Sequence, residues 1–133
     1  MSDSDYKIPN DDDVSPDDIH PGADLAGANL SKALLAEADL AGANLSGAVL
    51  TRASLREANL VEADLSDAKL NRAVFREANL TEANLSNASL TTTNLTGADL
   101  SDADLTDARC PAADVSDADL TGANVSDAHL LNY

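Results

Sequence analysis

The chain has 133 residues, 44% of them hydrophobic, yet only three are aromatic and none is tryptophan; 24 acids against 8 bases give a formal charge of −16. A chain of this length is one domain, and its core must be built from small aliphatic side chains instead of an aromatic centre. No apolar run approaches the roughly 18 residues of a membrane span, and the opening residues, with five aspartates before Val14, do not resemble a secretion signal, so the expected location is the cytoplasm, with no membrane contact.

Residues 1–20 contain Pro9, Pro16 and seven aspartates, with Tyr6, Ile8, Val14 and Ile19 as the bulky apolar groups. Such a segment buries too little surface of its own to offset the entropy of ordering it. It reads as a disordered acidic tail, with Ile19 the candidate to fold over the adjoining core as a cap.

From residue 21 the pattern changes. Every fifth position from Leu25 to Leu130 is a bulky apolar residue, with Phe75, Cys110, Val115 and Val125 the departures from leucine, and the residue two before it is alanine in 21 of 22 units, Thr93 being the exception. On an α-helix a step of five turns about 140°, so these leucines would spiral around the cylinder without forming a stripe. In extended chain, residues two apart share one face. Two residues in and three out, repeated, describe a chain coiling around a narrow core, a solenoid in which no unit buries its face alone. Six glycines and four prolines are few for so many bends.

The units Ala23-Asp24-Leu25-Ala26-Gly27, Ala58-Asn59-Leu60-Val61-Glu62 and Ala98-Asp99-Leu100-Ser101-Asp102 resemble the A(D/N)Lxx signature of pentapeptide-repeat proteins. The resemblance implies an all-β fold, a right-handed quadrilateral parallel β-helix over residues 21–133 with four units per coil and about 5.5 coils. At the ordinary inter-strand spacing of about 4.8 Å the rod would be roughly 26 Å long. The polar positions keep the implied beat of twenty: Lys32, Arg52 and Arg72; Arg56 and Arg76; Glu37, Glu57 and Glu77; Glu62, Glu82 and Asp102.

Charge therefore segregates along columns. Lys32, Arg52, Arg72, Arg56 and Arg76 form an expected basic corner, with Glu37, Glu57 and Glu77 beside them to pair with. Glu62, Glu82, Asp102, Asp67, Asp107 and Asp127 form an expected acidic strip that is the candidate interaction surface. The aspartates and asparagines just before the central residue have a local reason to be there, because short polar side chains bond backbone groups at a bend. An Asp-rich, Lys-poor surface also fits adaptation to concentrated salt, which screens self-repulsion. At the far end, Leu130, Leu131 and Tyr133 either meet a second copy end to end, giving a homodimer, or fold back as a minimal lid.

Chemistry finds little support. His20 and His129 are far apart, no three-ligand metal set stands out, and Cys110 occupies an inward slot as a small hydrophobe. Neither a cofactor nor an enzymatic activity is expected. Cations interleaved with glutamate do not make a phosphate-binding surface, so no nucleic acid is expected as a partner. Two functions remain: a scaffold or protein–protein interaction module with an acidic surface, or, as the resemblance implies, a DNA mimic that binds or protects DNA gyrase or topoisomerase.

Overall fold

The computed structural model describes residues 5–130. Backbone bridges join each residue before a central position to the one twenty residues on, in parallel, from Asp24↔Asn44 to Arg109↔His129. Each coil is thus twenty residues and four units. The ladder has three bonds per unit and coil: the Leu25 amide donates to the Asn44 carbonyl at 2.7 Å, the Gly27 amide to Ser46 at 2.9 Å, and the Asn44 amide to Ala23 at 2.8 Å. The same pattern recurs coil after coil, so nearly every core-facing peptide is paired, as burial demands.

The corners explain how so regular a chain bends. After each central residue a three-apart bond closes a turn, as from the Ala28 amide to the Leu25 carbonyl at 3.1 Å, and the second residue after the centre has positive φ. One positive φ at the third residue of a bonded turn is the type II geometry, which ordinarily calls for glycine. All six glycines of the chain take this slot, and sixteen other residues share it, Lys32, Arg52, Glu62, Glu82 and Asp102 among them, with φ between 54° and 63°. The left-handed conformation is costly for a side chain with a Cβ. Where another coil follows, the ladder bond made by that residue's own amide, such as Glu62 to the Thr81 carbonyl at 2.9 Å, helps hold it there; at Asp117 and Asp127 in the last coil the turn is closed by the Ala118 and Ala128 amides alone.

Two slots per unit face inward. Every leucine from Leu30 to Leu105 at a central position, Phe75 and all the alanines of the small slot between them are buried. Thr93, the single exception in the small slot, is buried too, and its hydroxyl donates to the Leu70 carbonyl at 2.7 Å. The bridges Val74↔Asn94 and Asn94↔Asp114 pass through its unit without a slip. Cys110 is buried, and that burial pushes its thiol up to about 11.

The segment expected to be a disordered tail is, from residue 5 onward, the lid of the first coil. Tyr6 and Ile19 are only 5% and 4% exposed and join the core cluster, with Ile8 and Val14 packed against it. A short 3₁₀ turn, Pro16–Asp18, is closed by Ser15 and Asp18. The free edge of the first coil is met group by group: Lys7 pairs antiparallel with Leu34 through two backbone bonds, Asp11 accepts the Asn29 amide at 2.9 Å, and Asn10 donates to the Ser31 carbonyl at 2.8 Å. The reason is that an open coil supplies both the apolar cross-section and the backbone groups that the segment lacks by itself.

At the other end burial fades: Val115, Leu120 and Leu130 are partly exposed and Val125 is 37% exposed. Leu131 and Tyr133, expected as a lid or an end-to-end contact with Leu130, lie outside the described residues.

Candidate interaction surfaces

The four faces are named by their central residues: face 1 holds Leu25 and Leu45, face 2 Leu30 and Leu50, face 3 Leu35 and Leu55, face 4 Leu40 and Leu60. The twenty-residue register then places every outward residue in a column. Glu62, Glu82 and Asp102 line the corner entering face 1, and Asp67, Asp107 and Asp127 the corner leaving it. The sequence-derived acidic strip is therefore face 1 with both of its edges.

Along the first edge the carboxylates stack one coil apart. Glu82 is raised above its ordinary value by a hydrogen bond shared with Glu62, then by the Glu62 charge and that of Asp102. Above it, the Asp102 carboxylate lies where a Cβ on Gly122 would have to go. Between the edges, Asp64 and Asp104 act locally: the Asp64 carboxylate accepts the Ser66 amide at 2.9 Å and the Ser66 hydroxyl at 2.6 Å. Asp104 does the same with Thr106, whose hydroxyl and then amide lower its pKa. Asp99, Asp114 and Asp119 are lowered in the same way by Ser101, Ser116 and Thr121. These aspartates brace turns, as turn chemistry anticipates. They also keep their charge, so they add to the negative field of the surface.

The basic residues differ from expectation in one respect. They do not share one corner but border one face: Lys32, Arg52 and Arg72 stand on the corner entering face 3, and Arg56 and Arg76 on the corner leaving it. The strip between them reads Leu34, Ser54, Val74, Asn94, Asp114. Glu57 and Glu77 follow Arg56 and Arg76 around that corner onto the face 4 side. Faces 1 and 3 are opposite sides of the tube, so the rod is electrically two-sided. Between Asp67, Asp107 and Asp127 on one bank and Ser89, Arg109 and His129 on the other runs a shallow open groove that sequence reading did not single out.

Among the described residues no group of three or more histidine, cysteine, aspartate or glutamate side chains is placed to hold a metal ion. No helix among them is long and apolar enough to cross a membrane.

A family profile described as pentapeptide repeats (8 copies) matches residues 22–57, 58–97 and 98–130. The chain belongs to the pentapeptide-repeat family. Its fold is the right-handed parallel β-helix of its structural neighbours. The chain is similar to a pentapeptide repeat protein of the Arabidopsis thaliana thylakoid lumen, at 32% identity and a TM-score of 0.68 over 71% of this chain and 66% of that one. It is similar to Rfr23 of the cyanobacterium Cyanothece 51142 at 33% identity and a TM-score of 0.65, over 69% of this chain and 60% of that one. Trypsin-treated QnrB1, a plasmid-mediated fluoroquinolone resistance protein, shares the fold at 22% identity and a TM-score of 0.69 over 82% of this chain and 60% of that one. The chain thus spans 60 to 66% of the length of these solved structures. No curated protein matches it.

Proposed function

We propose that this pentapeptide-repeat protein is a non-catalytic interaction module of the cytoplasm, whose acidic face 1 meets a basic surface of another protein. The observation that carries the reading is the gathering of Glu62, Glu82, Asp102, Asp67, Asp107 and Asp127 along the two edges of a single face. Carboxylates stacked at a fixed rise of about 4.8 Å make a rigid negative surface, and such a surface speeds and orients encounter with a positive partner. The coil fixes the backbone at these corners, so the ordering left for binding is that of the side chains themselves.

The test compares proteins retained from a cell extract by the wild-type chain with those retained by a variant neutralised at the six positions, Glu to Gln and Asp to Asn. A partner captured by the first and not the second supports the reading; identical capture contradicts it. A second reading, the DNA mimic that protects gyrase, draws on the same negative face and on the fold shared with QnrB1. It is separated by a gyrase supercoiling assay with the chain in excess, where unchanged supercoiling, with and without a fluoroquinolone, removes it.

A further inference from the structure

The chain has only eight basic residues, and five of them border face 3 within the first three coils. Among the described residues, no other face has basic side chains on both of its corners. Its central strip is also unusual, because Leu34 is 47% exposed, the most exposed large hydrophobic residue among those described, and Val74 is half-buried two coils further along the same column. Two apolar side chains on one strip, Leu34 and Val74 with Ser54 between them, stand between walls of long cationic side chains, with Glu57 and Glu77 just beyond one wall, and make an amphipathic surface.

We infer that face 3 is a docking site for an acidic amphipathic helix of another protein, its apolar side on Leu34 and Val74 and its carboxylates on Lys32, Arg52 and Arg72 to one side and Arg56 and Arg76 to the other. The spacing selects a helix. Two coil steps separate Leu34 from Val74 by about 9.6 Å, close to the roughly 10.5 Å between helical residues seven apart, which lie on one side of the cylinder. An extended strand covers that distance in three residues, which places its two side chains on opposite faces. The helix's full width of about 10 to 12 Å also suits a face only five residues from corner to corner. Lysine and arginine bring aliphatic stems as well as charge, so the walls extend the apolar floor.

This inference rests on the rod being an interaction module but uses the side opposite the acidic face, so its failure leaves the face 1 capture experiment unaffected. The probe is a fluorescent synthetic peptide of about fifteen residues with leucines at helical spacing, i, i+3, i+4 and i+7, flanked by glutamates. Fluorescence anisotropy is read at about 0.1 M salt, where the Debye length of about 10 Å damps repulsion from the far acidic side. Binding to the full chain is expected, weakened at least tenfold by Arg52→Glu with Arg56→Glu, and separately by Leu34→Ser with Val74→Ser, while circular dichroism shows both variants folded. Glutamate already occupies the left-handed corner slot elsewhere in the chain, so the reversal at Arg52 suits the turn. No binding overturns the proposal. So does equal affinity for a peptide of the same composition with its leucines scattered, or for single-stranded DNA, because either reduces the site to a sink for any polyanion. Displacement of the peptide by a second copy of the chain, with self-association in sedimentation, would assign the face to self-assembly and likewise overturn it.

Discussion

At its beginning the rod buries Ala23 and Leu25 beneath Tyr6 and Ile19, and satisfies the open edge of the first coil with Lys7, Asn10 and Asp11. At its other end Leu120, Val125 and Leu130 carry the same repeat and are partly exposed. The units are nearly identical in sequence, so the difference lies in what covers them. A solenoid unit has no core of its own; its stability is its own contribution plus that of its neighbours.

The largest expected effect sharpens this contrast. Leu60→Ala, mid-rod, should cost about 2 to 5 kcal/mol, because coils held on both sides cannot collapse around the hole. Leu120→Ala should cost about 1 kcal/mol or less, since that slot is already wet and gives up less buried surface. Urea unfolding of the two variants measures both, and equal losses would contradict the gradient. Next, Tyr6→Ala and Ile19→Ala should each cost about 2 kcal/mol or more, and the loss should be local. The Leu34 and Asn29 amides, bonded to Lys7 and Asp11, would lose hydrogen-exchange protection while those of Leu80 and Leu85 keep theirs.

A smaller effect tests the corners. Gly42→Ala should cost on the order of 1 kcal/mol for a left-handed residue with a Cβ, at φ 67° and with open space around it. Gly122→Ala should cost no more, because its Cβ meets only the end of the exposed Asp102 side chain, which can swing aside, and it lies in the partly exposed last coil. A clearly larger loss in thermal melting at Gly122 than at Gly42 would show that the Asp102 carboxylate is held in place.

The smallest effect is on pH. Asp99, Asp104, Asp114 and Asp119 are held below their ordinary 3.8, so the stability they add is present above about pH 4 and is lost as pH falls through their lowered values. Glu82 is held above its ordinary 4.5, so its charged form opposes folding and stability rises as pH falls through its raised value toward 4.5. Melting temperature should therefore climb from neutral pH into the mildly acid range and drop below about pH 4. A monotonic fall from pH 7 would contradict the stacked carboxylates.

Much of this was legible in the residues alone. The inward slots follow from spacing, and the twenty-residue coil from the family resemblance, whose beat the charged columns keep. What spacing does not reveal is where in each unit the chain turns, and so the five cations read as one corner when they border face 3. The corners hid a second feature, because a charged residue gives no sign of a left-handed backbone; the turn bond, joined by the ladder bond of its amide wherever another coil follows, imposes it. The lid was missed for a different reason. Composition measures what a segment can bury in itself, whereas Tyr6 and Ile19 bury themselves in the open coil next to them, and Asn10 and Asp11 are ordinary polar residues until an unpaired edge is beside them.

The most direct test of the twenty-residue coil is a disulfide placed across it, in a chain whose own thiol is removed by Cys110→Ser. Parallel chains about 4.8 Å apart lie within the roughly 4.4 to 6.8 Å between Cα atoms that a disulfide spans. Glu62→Cys with Glu82→Cys, one coil apart on the same corner, should oxidise within a single chain and raise the melting temperature. Glu62→Cys with Glu77→Cys, which places the thiols on different corners, should stay reduced. Closure of the second pair in preference to the first would contradict the coil and every column drawn from it.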